Sequence, residues 1–205
     1  MMQELENLIG EDERVLYRGK PDKKCYIYES AFNPMLPFAL LWAIFDISFM
    51  KEFFPGFSGF GGITLFLVGF FAIHMMPVWI YLGGILFAVK RYKNTAYVVT
   101  DQAIYVSSGL FTYSITRKSF AELSNINLHR GVFDRMFNVG DIIATTDQRD
   151  SNGQLASVCI GSISDYTAVY NMIKKLQLDI YTDVMYPNDL RPKENHGYNT
   201  EYKGM

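Results

Sequence analysis

Two ionisable side chains, Asp46 and His74, lie within the most apolar part of the chain. A charged group is costly in apolar surroundings, so both residues are candidates for function by default. Counted from a turn near residue 57, their depths differ by roughly 9 Å at the rise of an α-helix. A direct pair is therefore not expected unless the helices are staggered. We interpret both as structural polar residues, and a proton or ion relay is the alternative.

Basic residues form a second candidate group because three of them directly follow an apolar run and four more lie in the polar region beyond it. Near an anionic lipid leaflet each contributes about 1 kcal/mol of attraction. The simpler interpretation is orientation in a membrane plus a solvated face, and the alternative is a site for lipid headgroups or an acidic partner. The candidates are Lys90, Arg91, Lys93, Arg117, Lys118, Arg130 and Arg135.

Motifs of catalysis and of phosphate binding are absent from the sequence. No GK[ST] follows Gly83 and Gly84, and no G-x-S-x-G is present. The histidines are isolated, and aspartates such as Asp134 and Asp141 lie in or beside turns, where they commonly make local hydrogen bonds. We therefore predict a protein that is not an enzyme.

Metal and cofactor sites are not predicted either. Cys25 and Cys159 lie far apart and form no CxxC or Cys/His cluster, which favours two reduced thiols. The formal net charge is −2, so no basic bias points to nucleic acid as a partner.

Residues 31–89 are predicted to form a transmembrane hairpin, with helices at about 34–54 and 63–89. A spanning helix needs about 20 mostly apolar residues, which the second run exceeds and the first barely reaches. Basic residues lie before the first run and after the second, and the connection "KEFFPGFSGFGG" has one lysine. Lysine and arginine stay on the cytoplasmic side, so both termini are expected there. A single span with an interfacial first segment is the alternative.

Residues 94–178 change to short segments rich in Val, Ile, Tyr and Thr, which predict about six strands. The alternation in "ASVCIGSI" places Val158 and Ile160 on one face. The final segment, "SDYTAVYNMIKKLQ", has one apolar stripe at helical spacing and predicts an amphipathic helix. Residues 179–205 lack periodicity and are predicted to be a flexible tail.

These features together resemble the membrane-anchored bacterial pleckstrin-homology-like family of the second type. The resemblance rests on "GEDERVLYRGKPDKKCYIY", the apolar hairpin, and "YVVTDQAIYVSSGLFTYSITRKSFAELSNINLHRGVFDRMFNVGDIIATT". It covers about residues 11–178. It implies an α+β fold, a small β-barrel or sandwich of seven strands capped by a C-terminal helix. Residues 1–30 would contribute one extended strand near Val15, and no catalytic residues are implied.

The resemblance implies a bacterial protein, and the expected function is that of a non-enzymatic inner-membrane protein presenting this domain at the cytoplasmic face for protein assembly. The expected partners are membrane lipids and a second copy or other membrane proteins, because exposed strand edges are suited to pairing. The alternatives are a module that senses anionic lipid and, third, a small ion or proton relay built on Asp46 and His74.

Overall fold

The computed structural model describes residues 2–53, 62–150 and 153–185. The chain divides into two units, which we call the sheet unit (residues 1–25 and 91–205) and the helical unit (residues 26–90). In chain order the elements are α1 (Met2–Glu6), β1 (Val15–Gly19), α2 (Lys23–Ala31), α3 (Met35–Phe53), α4 (Gly62–His74), α5 (Met76–Asn94), β2 (Ala96–Thr100), β3 (Ala103–Gly109), β4 (Tyr113–Ser119), β5 (Leu123–His129), α6 (Val132–Phe137), β6 (Gly140–Arg149), β7 (Leu155–Ile163) and α7 (Tyr166–Met185).

The strands form two antiparallel sheets, one in the order β1-β2-β3-β4 and one in the order β5-β6-β7. Seven strands followed by a helix were expected from the family resemblance, and the described strands confirm them. The segment near Val15 is the additional strand and pairs with β2. Of the two forms predicted, barrel or sandwich, the described strands form two sheets and close no barrel.

The central strands β2 and β3 are buried on both faces, which explains why their sequences are almost continuously apolar. One face, with Tyr97, Val99 and Ile104, belongs to the main core shared with the second sheet and α7. The opposite face packs against the N-terminal residues, where Leu5 is fully buried. The segment before β1 is therefore part of the fold of the sheet unit.

The helix α7 closes the main core with the apolar stripe expected from the sequence. Val169, Ile173 and Leu176 are buried in that core, and Met172 packs against it. The predicted flexible tail is wrong at its start, because α7 continues through residues 179–185 to Met185. The remainder of that tail, residues 186–205, lies outside the described residues.

The hairpin of β6 and β7 has the predicted alternation. Val158 and Ile160 are buried, whereas Ser157 and Cys159 are exposed. The strand β6 continues to Arg149 and β7 begins at Leu155, and residues 151 and 152 between them lie outside the described residues.

The helical unit differs in its second helix from the hairpin predicted at about 34–54 and 63–89. The first helix, α3, matches the expected range, but the second run is broken into α4 and α5. No single described helix is long and apolar enough to cross a bilayer. Two bent pairs could do so by length and composition, α2 with α3 at 53° and the later part of α4 with α5 at 56°. The predicted connection between the helices falls largely on residues 54–61, which lie outside the described residues.

Proline explains the break in the second run. Pro77 has no backbone N–H and its ring clashes with the preceding turn, so it is tolerated only near a helix start. It is the second residue of α5, whose first residue is Met76, and α4 ends at His74. The end of a helix at this point was not predicted from the sequence.

Candidate functional site

Asp46 and His74 form a direct pair inside the helical unit. His74 Nδ1 lies 2.8 Å from Asp46 Oδ1, and the Asp46 side chain is fully buried. The expectation that the two would not meet is wrong. It assumed helices that are level at the turn, whereas Asp46 lies seven residues before the end of α3 and His74 twelve after the start of α4. The contact therefore requires the staggered arrangement.

Aromatic rings surround the imidazole of His74. The indole of Trp42 stacks on it with ring centres 5.1 Å apart, and the ring of Phe70 stacks at 5.4 Å. Phe45 lies at 6.5 Å in a tilted orientation. One oxygen of the Asp46 carboxylate, Oδ2, is buried and accepts no hydrogen bond from the described residues.

The two tryptophans of the chain satisfy carbonyl groups that the helix break leaves without partners. Trp42 Nε1 donates to the carbonyl oxygen of His74 at 2.8 Å, and Trp79 Nε1 donates to that of Ala72 at 2.9 Å. The last carbonyls of a helix have no intrahelical partner and are costly if buried. We call Trp42, Asp46, His74 and Trp79 the break cluster.

A second polar network joins the N-terminal segment to the first sheet. Glu13 Oε2 accepts from Thr100 Oγ1 at 2.7 Å, and Glu13 Oε1 accepts from Tyr105 Oη at 3.0 Å and from Arg117 at 3.1 Å. Glu13 is thus bonded to β2, β3 and β4. We call these four residues the Glu13 network. Glu13 lies in "GEDER", a segment that resembles the family, but its contacts were not predicted from the sequence.

Protonation in the Glu13 network follows from burial and from the hydrogen bonds. Burial raises the pKa of Tyr105, and so does its hydrogen bond to Glu13, whereas Arg117 acts to lower it. The hydrogen bond to Tyr105 raises the pKa of Arg117, so the guanidinium stays charged. The network is therefore an ion pair with a neutral phenol between its members, an arrangement that fixes structure.

The start of α6 contains a buried carboxylate, Asp134. Its Oδ2 accepts from the backbone N–H of Gly131 at 2.7 Å, and its Oδ1 lies 3.5 Å from Cys25 Sγ. This is the local hydrogen bonding that was expected of turn aspartates. Cys25 is buried and Cys159 is exposed, and neither forms a disulfide.

Asp141, at the start of β6, is a carboxylic acid whose pKa is raised in the folded chain. Burial raises its pKa, and the charge of Asp134 adds to the effect, whereas the backbone N–H of Ser162 and the imidazole of His129 oppose it. Asp141 Oδ1 accepts from Ser162 at 2.7 Å, and His129 Nδ1 lies 3.8 Å from Oδ2. Ligand atoms of His129, Asp134 and Asp141 lie within 4.8 Å of one another and could hold a cation. Backbone amides already occupy one oxygen of each carboxylate.

The seven basic candidates do not share one environment. Lys90, Arg91 and Lys93 are exposed near the end of α5. Lys118 and Arg135 are half-buried and exposed, respectively. Arg117 and Lys118 are consecutive residues of β4, and consecutive side chains of a strand point to opposite faces.

The side chain of Arg130 contacts other residues of the sheet unit. Its Nε donates to the carbonyl of Val139 at 2.7 Å, and its guanidinium lies 4.5 Å from the ring centre of Tyr166. Gly140 allows this packing, because an added Cβ would lie 3.0 Å from Tyr166 and 3.2 Å from Arg130. Arg117 and Arg130 therefore have intramolecular roles.

Two antiparallel sheets with a C-terminal helix across the core define the sheet unit as a pleckstrin-homology-like domain. The family of bacterial PH domains matches residues 41–177, and the chain belongs to that family. The match begins within α3 and includes α4 and α5 as well as the strands from β2 onward, so the apolar helices are part of the family pattern. Curated proteins and solved structures gave no match.

Proposed function

We propose that this protein is a non-enzymatic bacterial inner-membrane protein whose helical unit anchors the PH-like domain at the cytoplasmic face. The domain would serve protein assembly, beginning with a second copy of the same chain. Both termini would lie in the cytoplasm.

The observation that carries this proposal is the inverted polarity of the helical unit. Large apolar side chains are exposed along its helices, including Leu41 at 70%, Leu65 at 70% and Ile73 at 76%. Its most buried ionisable group is Asp46, at 0%. A water-soluble fold buries apolar groups and exposes charged ones, whereas ionisable residues inside a bilayer face the interior of the helix bundle.

The assembly role is supported by the edge strands of the two sheets. The first sheet ends in β1 and β4, and the second ends in β5 and β7. An edge strand offers unpaired backbone groups to another strand. On β4 the side chains of Ser114, Thr116 and Arg117 are exposed, so a partner strand can approach.

The lipid-sensing alternative is supported by fewer residues than the sequence suggested. Arg117 is bonded to Glu13 and Tyr105, and Arg130 to backbone carbonyls. The exposed cations at the end of α5 are accounted for by the orientation of a membrane helix, since lysine and arginine near a span are kept on the cytoplasmic side.

Cross-linking in native membranes tests anchoring and assembly together. Cysteine is introduced as Thr116→Cys on β4 in a Cys159→Ser background, membranes are washed with alkaline carbonate, and the pellet is oxidised. The protein is expected to stay in the pellet and to form a disulfide-linked dimer at this edge. The matched control is Asn171→Cys, exposed on α7, for which no dimer is expected.

Release of the chain by carbonate contradicts the anchor. A monomer with both cysteine variants contradicts self-assembly through β4. An equal dimer yield from both variants shows random collision and likewise contradicts edge pairing.

A further inference from the structure

Phe111 and Val132 are the two most exposed large apolar side chains among the described residues of the sheet unit, at 73% and 80%. Phe111 lies between β3 and β4, in residues 110–112, which we call the Phe111 turn. Val132 lies on α6 with Met136, which is 59% exposed. Single exposed apolar residues are common on protein surfaces, so the positions of these residues matter more than their number.

The Phe111 turn lies beside the point where the chain returns from the helical unit. Asn94 is the last residue of α5 and already belongs to the sheet unit. Its Nδ2 donates to the carbonyl oxygens of Gly109 at 3.3 Å and of Leu110 at 3.4 Å. The apolar run ends at Val89, five residues before Asn94, which is about 8 Å along a helix. The turn is therefore tied to the end of the last apolar helix.

The helix α6 lies beside the point where the chain leaves for the helical unit. Cys25, in α2, is the last residue of the sheet unit before that connection. Its Sγ lies 3.5 Å from Oδ1 of Asp134 on α6. The next helix, α3, begins at Met35, ten residues or about 15 Å further along a helical path. Each of the two exposed apolar points is thus tied to one of the two connections with the helical unit.

We propose that the Phe111 turn and α6 rest on the cytoplasmic leaflet, with Phe111, Val132 and Met136 inserted at the level of the lipid headgroups. This inference rests on the proposed function, because it needs the helical unit to lie in the bilayer. Anchoring alone requires only that the sheet unit stay tethered. Docking also fixes which side of the sheet unit faces lipid and which side is left for a partner.

The charges around these two points suit a lipid surface. Residues 102–116 contain no Asp, Glu, Lys or Arg, so this turn enters the interface without taking a charge out of water. Arg91 and Lys93 are exposed at the end of α5, and Arg135 is exposed on α6. Asp134, the acidic residue of α6, is fully buried. Apolar side chains flanked by exposed cations are the combination that binds anionic membrane surfaces.

A protein partner would explain either exposed point alone, whereas the bilayer explains both, because both connections lead into it. Leu155 shows the contrast and serves as the matched control. It is 48% exposed and begins β7, which ends at Ile163. Near that end, the carbonyl of Ser162 accepts from the backbone N–H of Asp22 at 2.7 Å, close to the first connection. Leu155 is seven residues from Ser162, or about 23 Å along a strand, so it should face water.

Quenching of a fluorescent label by lipid and by water-soluble quenchers tests the docking. Single cysteines are introduced into the intact chain in a Cys159→Ser background, labelled, and reconstituted in vesicles of phosphatidylethanolamine and phosphatidylglycerol. Thr112→Cys reports on the turn with Phe111 still present, Val132→Cys reports on α6, and Leu155→Cys is the control. The Cys159→Ser chain without a new cysteine gives the background from the buried Cys25.

Labels at positions 112 and 132 should contact lipid, and the label at position 155 should not. Lipids with a nitroxide near the headgroup are expected to quench the first two labels at least about twofold more than the third. Aqueous iodide is expected to show the opposite order. Comparing positions within one sheet unit removes the effect of mixed orientations in the vesicles.

Phe111→Ser tests whether the apolar side chain causes the contact. In the Thr112→Cys chain it is expected to lower lipid quenching towards the value at position 155. Leu155→Ser in the same chain is the matched substitution and should leave the quenching at position 112 unchanged. Both positions are exposed, and folding of each variant is checked by circular dichroism and elution volume.

A label at Leu41→Cys, an exposed position of α3, separates failure of the docking from failure of the anchor. Absence of lipid quenching at position 41 contradicts the anchor and the docking together. Lipid quenching at position 41 with equal quenching at positions 112, 132 and 155, or with no effect of Phe111→Ser, overturns the docking alone. Labels at 112 and 132 that are shielded from both quenchers would show that a protein covers them, which also overturns the docking.

Discussion

Asp46 and Asp134 are both fully buried carboxylates, but the groups that lie against their oxygens differ. Asp134 accepts from the backbone of Gly131 and has Cys25 beside its other oxygen, so its neighbours along the chain explain it. Asp46 has His74, 28 residues away, and an oxygen without a partner. A buried carboxylate at a turn is structural, whereas one held by a single distant imidazole is a candidate for function.

The sequence identified Asp46 and His74 as unusual from residue type and apolar context alone. It could not predict their contact, because the distance depends on the stagger of two helices and on a connection outside the described residues. Glu13 gave no signal of its own, since an isolated glutamate in a polar segment is ordinary. Its importance appears only when residues 100, 105 and 117 are brought together by the sheet.

Asp141→Asn is expected to stabilise the protein at pH 7. The raised pKa of Asp141 means that the folded chain binds this proton more tightly than the unfolded chain, so stability falls as pH rises through the carboxyl range. An asparagine keeps an oxygen for Ser162 and carries no charge. Thermal unfolding of the intact chain in detergent should give a higher midpoint for the variant at pH 7.

The advantage should vanish below about pH 3, where the aspartate is protonated in both the folded and the unfolded chain. The control is Asp147→Asn, which is exposed and should change stability by less than about 0.5 kcal/mol at either pH. A variant that is less stable than the parent at pH 7 would show that the carboxylate charge is needed there.

Local patterns predicted most of the strands and the last helix. The alternation around Val158 and the stripe on α7 depend on one buried face, and periodicity records this directly. The break between α4 and α5 was not predicted, because hydropathy measures apolar character and does not detect the end of a helix. The N-terminal cover of β2 and β3 was also missed, since it is a long-range contact.

Glu13→Ala is expected to detach the segment between α1 and β1 from the sheet. It removes the acceptor for Thr100, Tyr105 and Arg117, and loss of a buried partner typically costs about 2 kcal/mol. Hydrogen exchange should show faster exchange in residues 7–14, and the free energy of unfolding should fall by that amount.

Glu11→Ala serves as the matched control, because Glu11 is an exposed neighbour of the same type. Equal effects of the two substitutions would mean that the general charge of the segment matters, and that the Glu13 network does not.

The whole molecule combines two units with opposite polarity. The sheet unit has an apolar core of residues such as Ile104, Ile142 and Ile173, whereas the helical unit exposes its large apolar side chains. Composition alone hides this division, because the chain as a whole is 49% hydrophobic and has a mean hydropathy near zero. Only the distribution along the chain predicted two units, and the family match spans parts of both.

Membrane topology tests the anchoring proposal most directly. A reporter active only in the cytoplasm is inserted after residue 57 or fused after residue 205, and the two fusions are compared in living cells. A hairpin with both termini inside predicts activity for the C-terminal fusion and none for the fusion at residue 57. Activity at both positions would contradict the hairpin, and inactivity of the C-terminal fusion would contradict the placement of the PH-like domain at the cytoplasmic face.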